Sequence, residues 1–548
     1  MSEAKSPLTF TRRGFIGAAG AGALAVGLPL AVGPADAARS AFRHGVASGD
    51  PLPGGVILWT RVTPTATATP GSGRGGASDV TWEVAGSRSF GAVIASGTTT
   101  TDASRDHTVK VDVSGLRPAT VYWYRFRVTS GPAAGSVSPV GRTKTAPAAG
   151  SDVARARFGV VSCSNWEAGY FSSYGFLADR TDLDAVIHLG DYIYEYGPSG
   201  YAGKNGVVRR HEPSHDIVSL ADYRIRHGQY KTDPDLQAVH RQHPFIVTWD
   251  DHEAANDQWS GGAENHKPSQ GSWAQRKARA DRAYFEWMPV RPQVSGDNRH
   301  IYRRLAYGKL LELSMLDLRT YRDVSAGQFS RESEDPGRTI TGRRQMEWVK
   351  NSITTSDATW QIVGNSVMIS PLLIPPLDPA RTKIITDLVG IPENGIPFNG
   401  DQWDGYVADR RRLLDAIDDA GRKNVVFITG DIHMSWANDI PRKPANYPGA
   451  GTVATEFVVT SVTSNNLDDM VKAPEHTVGG AASAAIMATN HHTRWVDTDE
   501  HGYGVLTVTP AAARMDWYFV DRLTDRRTGQ RLAQSWTVKN QSRRMTRS

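Results

Sequence analysis

The stretch from Ala185 to Gly197, AVIHLGDYIYEYG, constrains the fold of this chain more than any other. Its first residues are apolar and β-branched, which predicts a buried strand, and Gly190 ends that strand. Asp191 follows at the carboxyl end of the strand, where open α/β sheets bind their ligands. Tyr194 comes three residues later, close enough to share a metal ion with Asp191. The stretch therefore predicts a binding site at the edge of a sheet.

Further strands of this kind alternate with helices along the second part of the chain. Strands are predicted at RFGVVSCS, AVIHLGD, HPFIVTWDDHE, KLLELSMLDLRT, WQIVGNSVMIS and NVVFITGDIH. Helices are predicted at GSWAQRKARADRAYFEWM, TGRRQMEWVKNSI and DGYVADRRRLLDAIDDAG. Such alternation is typical of a layered α/β domain, which we place at residues 153–535. The Pro-rich segment from Pro371 to Gly400 is predicted to be a long loop and a candidate lid.

The first part of the chain has a different character, since short β-rich runs are separated by Gly, Pro, Ser and Thr turns. The runs VILWTRV, VTWEVAG, HTVKVDVSGL and VYWYRFRV lie within residues 42–145. About a hundred residues of this pattern predict an all-β sandwich of the immunoglobulin or fibronectin kind. Residues 145–150 read as a linker to the α/β domain.

The composition narrows the classes of function. The 548 residues exceed what one hydrophobic core usually supports, so at least two domains are expected. The formal net charge of +5, on 62 basic and 57 acidic residues, gives no support to a nucleic-acid-binding module. The single cysteine, Cys163, excludes an intrachain disulfide.

The first 37 residues are predicted to be a twin-arginine export signal. Thr11-Arg12-Arg13-Gly14-Phe15-Ile16 is followed by a Gly- and Ala-rich apolar region and by Ala35-Asp36-Ala37, a small-x-small cleavage site. A membrane anchor is the alternative, but the region is glycine-rich and weakly hydrophobic, so no stable anchor is expected. The expected partner is the twin-arginine export machinery, and the expected location is secreted or extracytoplasmic.

Four predicted strands end in side chains that can bind metal ions. One carboxylate after a strand often caps a turn or a helix, but several strands ending in Asp, His, Cys or Tyr favour a shared site at one edge of a sheet. Carboxylates, imidazole, phenolate and one thiolate together suit two metal ions of different character. The candidates are Cys163, Asp191, Tyr194, Asp250, Asp251, Asn256, Asp431 and His433.

These motifs resemble a known family. Gly190-Asp191-x-x-Tyr194 is similar to the GDxxY motif of metallophosphoesterases of the purple acid phosphatase kind, and Gly430-Asp431-x-His433 stands where those proteins carry GHxH. The Ser162-Cys163 turn, the sequence WDDHE and the opening run FRHGVASGDPLPGGVILWTRV resemble PhoD-type alkaline phosphatases. The resemblance extends from Phe42 to the last strands, and it implies a layered αββα fold for the α/β domain.

The resemblance also implies cofactors, ligands and an activity: the hydrolysis of phosphate esters by a water that metal ions activate. The ferric iron, Fe(3+), would be held by Cys163, Asp191, Tyr194 and His433. The calcium, Ca(2+), would be held by Asp191, Asp251 and Asp431, with Asp250 and Asn256 as helpers. His252 would bind phosphate or protonate the leaving group, with Asp191 bridging the metals as the second catalytic residue.

Two further residues are less closely tied to the motifs. Asn365 lies nearest to the place of the VxxH histidine of purple acid phosphatases, and it is either a ligand or a neighbour of one. Arg319 could contact the substrate phosphate, although structural pairing is the alternative.

Three alternatives stay open at this point. A phosphodiesterase with phospholipase D-like activity on phospholipids or teichoic acids would use the same metals. An exported, non-catalytic binding protein would use the N-terminal sandwich alone. A zinc protease is disfavoured, because Asn256 stands where the helical HExxH motif needs its second histidine. The protein is expected to be a monomer.

Overall fold

The computed structural model describes residues 41–295, 298–327 and 330–548. The predicted export signal, residues 1–37, lies outside the described residues. None of the helices in the described ranges combines the length and the apolar character that crossing a bilayer requires.

Strands make up most of the regular structure. They are β1 (Val46–Leu52), β2 (Gly55–Arg61), β3 (Ser78–Ala85), β4 (Val93–Thr101), β5 (Thr108–Val113), β6 (Val121–Ser130), β7 (Gly141–Lys144), β8 (Ala156–Val161), β9 (Ala185–His188), β10 (Pro244–Val247), β11 (Gln293–Ser295), β12 (Asn298–His300), β13 (Arg303–Tyr307), β14 (Leu311–Met315), β15 (Trp360–Asn365), β16 (Leu373–Ile374), β17 (Ile396–Pro397), β18 (Val425–Thr429), β19 (Ser435–Ile440), β20 (Ala454–Val458), β21 (Thr493–Asp497), β22 (Gly502–Val508), β23 (Ala512–Val520), β24 (Gln530–Lys539) and β25 (Met545–Arg547).

The α-helices lie mainly between the strands of the second part of the chain. They are α1 (Ser172–Asp179), α2 (Leu220–Tyr230), α3 (Pro234–Gln242), α4 (Trp273–Trp287), α5 (Arg343–Thr354), α6 (Pro379–Val389), α7 (Val407–Asp419), α8 (Leu467–Val471) and α9 (Val478–Thr489).

Two sheets stack face to face to form the centre of the α/β domain. One has ten strands in the order β25-β24-β23-β22-β8-β9-β10-β1-β2-β5, and the other has seven in the order β13-β14-β15-β18-β20-β19-β21. Apolar side chains such as Ile187 from the first sheet and Ile362 and Ile428 from the second form one shared core between them. Burial of these side chains is the main favourable term that holds the two sheets together.

Helices cover the outer face of each sheet. Helices α2 and α4 pack Tyr223 and Tyr284 onto a core that includes Phe245 of β10. Helices α5 and α7 pack Val349 and Leu413 onto the outer face of the second sheet. The predicted αββα arrangement is therefore confirmed, as are the three helices and six strands expected from the sequence.

The N-terminal all-β sandwich is also confirmed. Its four-stranded sheet, β4-β3-β6-β7, packs onto β2 and β5 through a core that includes Val80 and Phe126 on one side and Leu58 and Val109 on the other. However, β1 pairs in parallel with β10, with Ser48 opposite Pro244, so one sheet of the sandwich continues the ten-stranded sheet. The limits 42–145 and 153–535 stay predictions, and a continuous sheet crosses the boundary between them.

The prediction of a long loop from Pro371 to Gly400 is wrong, while the role of this segment as a lid stays a prediction. Helix α6 lies within this segment, with Pro379 in its first turn and the Asp378 side chain accepting a hydrogen bond from the backbone of Ala380 at 3.1 Å. Proline in the first helical turn is favourable, because the backbone N–H that it lacks would have no helical acceptor there. Pro379, one of the prolines that suggested a loop, thus marks the beginning of a helix.

Gly190, which ends β9, is held in a conformation that a side chain would not tolerate. Its φ is +114°, and an added Cβ would lie 2.5 Å from the Cβ of Asp250. We expect Gly190→Ala to lower the free energy of unfolding by roughly 2–5 kcal/mol, because backbone strain and overpacking add. Gly421→Ala is the matched control, since Gly421 has φ +65° with open space around it and should lose only about 1 kcal/mol. Urea unfolding of both variants tests this, and equal losses would contradict it.

Candidate metal centre

The functional side chains converge because parallel strands end together. Strands β8, β9 and β10 are parallel neighbours in the ten-stranded sheet, while β15, β18 and β20 are parallel neighbours in the seven-stranded sheet. The residues that follow these strands therefore meet at one edge, between the two sheets. Cys163, Asp191, Asp431 and His433 all have positive φ, from 56° to 65°. Non-glycine residues rarely adopt this conformation outside functional sites and turns.

The first group of donors surrounds Asp191. The ligand atoms of Cys163, Asp191 and His433 all lie within 4.8 Å of one another. The Tyr194 hydroxyl donates a hydrogen bond to Asp191 Oδ2 at 3.0 Å and lies 3.4 Å from His433 Nε2. His433 Nδ1 donates to the carbonyl oxygen of Asn465 at 2.7 Å. In this tautomer Nε2 carries no proton, and its lone pair is available to a metal ion. Asp191 Oδ1 is buried without a hydrogen-bond partner.

The chemistry of this group fits a trivalent ion. Burial raises the pKa of the Cys163 thiol well above its usual range, and the Asp191 carboxylate raises it further. Burial and the same carboxylate raise the pKa of the Tyr194 phenol. Both groups therefore keep their protons until a cation displaces them, as expected of metal ligands in a buried site. Loss of these protons would leave thiolate, phenolate and carboxylate charges around one ion, with a neutral His433, whose pKa burial lowers to about 4.

The second group of donors consists of carboxylates. Oxygens of Asp250, Asp251 and Asp431 lie within 4.8 Å of one another, and Asp191, Asp251 and His252 form an overlapping set. Burial and the nearby Asp250 raise the pKa of Asp431 well above its usual range. Carboxylate oxygens are the ligands that calcium prefers, so this group fits a hard divalent ion. Asp191 belongs to the first group and to the overlapping set that contains Asp251, so its carboxylate lies between the two groups.

Arg319 lies inside the second group. Its guanidinium is fully buried and donates to both oxygens of Asp250, at 2.5 and 2.8 Å, and to Asp401 at 2.6 Å. It also donates to Asp431 at 3.0 Å. Burial would lower the pKa of Arg319, but the carboxylates outweigh it and raise that pKa. The geometry supports the structural pairing that the sequence left open, since most of the N–H groups of the guanidinium already bind protein carboxylates.

His252 is held against the first group by a buried glutamate. Its ring lies 4.2 Å from that of Tyr194, centre to centre, and its Nδ1 lies 2.7 Å from Glu195 Oε2. Burial would lower the pKa of His252, but the carboxylate of Glu195, with those of Asp251 and Asp191, outweighs it and raises that pKa well above its usual range. The direction of this shift favours the imidazolium form of His252, which can donate to an anion.

Two predicted ligands are placed less favourably. Asn365 donates from its amide to Val367 O and, at 3.2 Å, to Thr429 Oγ1, while its Oδ1 accepts from Trp403. The side-chain amide of Asn256 donates to Glu264 at 3.2 Å. Within the part of the chain that the structure describes, neither amide hydrogen-bonds to the candidate carboxylate ligands Asp191, Asp250, Asp251 and Asp431. Their roles as ligands stay predictions.

Three positioning residues were missed from the sequence. Glu253 accepts backbone N–H bonds from Asp191, Tyr192 and Asp250, at 3.1, 2.5 and 2.8 Å, and so fixes two strand-end loops to each other.

The other two missed residues act on side chains of the site, since Glu195 orients His252 and Asp401 pairs with Arg319. Glu195 and Glu253 each directly follow a predicted site residue, and this adjacency could have identified them from the sequence. Asp401 lies 82 positions from Arg319, and nothing in the sequence connects them.

Replacing Glu195 by glutamine is expected to lower kcat/KM for a phosphate ester about 10- to 100-fold with little change in bound metal. Glutamine keeps the shape but removes the charge that holds the imidazolium of His252, and the loss of such outer partners has effects of this size. Glu332→Gln, at an exposed glutamate, is the control. Steady-state kinetics and metal content of both variants test the prediction, and loss of metal from Glu195→Gln would contradict it.

Comparison with known proteins agrees with this geometry. The family model described as PhoD-like phosphatase matches residues 158–517, and that of the PhoD-like phosphatase N-terminal domain matches residues 28–147. Alkaline phosphatase D of Bacillus subtilis (strain 168) is 36% identical over 539 residues, which cover 94% of this chain and 85% of that protein.

Solved structures agree as well. The structure of PhoD matches with a TM-score of 0.81 at 34% identity, covering 93% of this chain and 92% of that one. A purple acid phosphatase from yellow lupin (Lupinus luteus) seeds matches with a TM-score of 0.52 at 12% identity, covering 90% of this chain and 73% of that one. At this identity the second likeness shows a shared fold alone.

Proposed function

This chain belongs to the PhoD-like phosphatase family and is a metal-dependent phosphoric ester hydrolase, and we propose that it works with one ferric ion and calcium. The proposed ferric ligands are Cys163, Asp191, Tyr194 and His433. The proposed calcium ligands are Asp191, Asp251 and Asp431, with Asp250 and Asn256 as helpers. Family membership removes the support for a purely non-catalytic binding protein.

The observation that carries this assignment is that Asp191 belongs to two of the groups of candidate metal ligands. Its carboxylate lies within 4.8 Å of Cys163 and His433 on one side and of Asp251 and His252 on the other. A carboxylate between a donor set that contains a thiol and a donor set that shares Asp251 with a cluster of carboxylates suits two ions of different character. The orphaned Asp191 Oδ1, buried without a partner, is the acceptor that such a cation would satisfy.

Two of the chain's own residues, His252 and Tyr201, then act at the ester. When bound, the ions polarise the phosphoryl group and activate the attacking water. Protonated His252, held by Glu195 at 2.7 Å, donates a hydrogen bond to a phosphate oxygen or a proton to the leaving group. The ring of Tyr201 lies 5.9 Å from His252 and is stacked 5.6 Å from Tyr194, so it walls the site on the His252 side.

We further propose that the enzyme is exported by the twin-arginine machinery, acts outside the cytoplasm and is a monomer. The Arg12-Arg13 motif and the Ala35-Asp36-Ala37 site support export. Twin-arginine export carries folded proteins, so the buried metal centre would be filled before export.

Metal analysis and a substrate comparison test the proposed function. We expect about one iron and at least one calcium per chain in protein folded in the cytoplasm, and turnover of p-nitrophenyl phosphate that a chelator removes. Absence of iron together with chelator-resistant turnover would contradict the metal assignment. Rates on p-nitrophenyl phosphate and bis-p-nitrophenyl phosphate separate monoester from diester preference, because both release p-nitrophenolate and differ only in the second substituent. The rate on phosphatidylcholine then tests a lipid diester whose leaving group is an alcohol.

A further inference from the structure

Helix α6 presents an unusual set of apolar side chains to solvent. Ile384 and Leu388 are 85% and 86% exposed, and Ile385 and Val389 are each 62% exposed. Thr386, on the opposite side of the helix, is buried. Single exposed aliphatic residues are common, but four on one helix face form a contiguous patch, and such patches mark interaction surfaces. We call these four residues the aliphatic face of α6.

The charges around this face have a definite arrangement. Arg381 lies on the same side, because residues three, four and seven positions apart share one face of a helix. Its side chain is 84% exposed, and its ion pair, with Asp378, is long at 3.8 Å. Lys383 and Asp387 lie away from the face and pair with each other at 3.3 Å. The aliphatic face therefore carries one exposed cation and no carboxylate.

The segment that carries α6 ends at the metal centre. Strands β16 and β17 pair as a short antiparallel ribbon on either side of the helix. Directly after the ribbon, Asp401 accepts a hydrogen bond from Arg319, and Gln402 donates to Asp431 at 3.4 Å. Ile374 and Phe398, in and next to the ribbon, are also exposed. Exposed apolar side chains thus accompany the segment from its base to its tip.

We propose that the aliphatic face of α6 docks the enzyme onto an anionic lipid surface, where lipid-borne phosphate esters reach the metal centre. The four aliphatic side chains would enter the acyl region, while Arg381 extends its guanidinium to lipid phosphates, as long cationic side chains do at interfaces. A second copy of the chain is a poorer occupant, because a two-fold contact would bring two Arg381 side chains together on faces without a carboxylate. The substrate part of this proposal rests on the proposed function, whereas the docking part does not.

Vesicle binding tests the docking directly, with the mature holoenzyme from which the predicted export signal has been removed. Vesicles of phosphatidylglycerol and phosphatidylcholine are compared with phosphatidylcholine alone in a flotation assay. The variant is Ile384→Ser/Leu388→Ser. The matched control is Val93→Ser/Ile94→Ser, since these residues are 44% and 48% exposed on β4 of the N-terminal sandwich. Turnover of p-nitrophenyl phosphate is measured for every protein and should not change.

We expect the wild type and the control to float with phosphatidylglycerol vesicles, and the α6 variant to bind them at least about tenfold more weakly, since binding scales with buried apolar area. Arg381→Gln should weaken binding to phosphatidylglycerol vesicles and leave the weaker binding to phosphatidylcholine unchanged. Equal flotation of wild type and α6 variant overturns the proposal, as does no flotation of either. A wild-type dimer that the α6 variant dissociates overturns it in favour of self-association. Failure of p-nitrophenyl phosphate turnover in the wild type would instead count against the proposed function.

Discussion

Asp191→Asn is expected to lower kcat/KM for p-nitrophenyl phosphate by roughly 1,000-fold or more and to release most of the bound iron. Asparagine has the same shape but no charge, so it offers each ion a weaker ligand. Because Asp191 lies in the donor sets of both proposed ions, a single substitution affects both. Metal content per chain, measured by mass spectrometry, is the primary readout, and kinetics are the second. Iron content near that of the wild type would refute the ligand assignment.

Two tyrosines of the same loop supply a matched control for this result. The Tyr194 hydroxyl contacts Asp191 Oδ2, whereas that of Tyr192 hydrogen-bonds to His240 Nε2 at 2.8 Å. Both rings are buried, so each change to phenylalanine removes one hydroxyl and leaves the packing intact. We expect Tyr194→Phe to lose iron, as Cys163→Ala should, and Tyr192→Phe to keep it. Iron loss from both would mean that the loop as a whole, rather than the Tyr194 phenol, controls metal binding.

The sequence was sufficient to predict that several candidate ligands lie close together, because these residues directly follow strands. An apolar run followed by glycine and aspartate is a local pattern, and parallel strands place their carboxyl ends at one edge whatever their order in the sheet. The positions of Cys163, Asp191 and His433 therefore followed from local patterns. Their positive φ values could not be predicted, because non-glycine residues rarely adopt this conformation and no local pattern indicates it.

What was missed depends on contacts between distant segments. Asp401 reaches Arg319 only because the segment that contains α6 returns to the metal centre, and no local pattern carries that information. The pairing of β1 with β10 is equally non-local, and it joins the sandwich to the α/β domain across nearly 200 positions. Helix α6 was mistaken for a loop because the prolines of the segment were interpreted as helix breakers, although Pro379, the one proline within the helix, stands in the first turn, where a helix tolerates proline. Arg319 was considered as a substrate ligand, but the structure pairs it with carboxylates that are distant in the sequence, such as Asp401.

Arg319→Met is expected to destabilise the metal-free protein by about 3–5 kcal/mol, because removing one partner leaves buried carboxylates uncompensated. Asp250, Asp401 and Asp431 all accept hydrogen bonds from this guanidinium, and its side chain is fully buried. Methionine has a similar length and no charge. The lost free energy of unfolding therefore reflects the missing ion pairs more than a change in packing. Thermal unfolding in the presence of a chelator measures the effect. Arg304→Met is the control, since Arg304 pairs with Glu312 at the surface and should contribute less than about 1 kcal/mol.

The same variant separates the two interpretations of Arg319. If the guanidinium balances the charge of the carboxylates, added calcium should recover part of the lost stability of Arg319→Met, because a cation that binds only the folded state stabilises it. The recovery should be larger than in the wild type, where Arg319 already offsets part of the negative charge of Asp250 and Asp431. If Arg319 instead binds substrate, its loss should raise KM and weaken inhibition by inorganic phosphate while stability stays near that of the wild type. The burial of the guanidinium and its contacts with three carboxylates favour the first result, in which Arg319 holds the acidic group together until the metal ion binds.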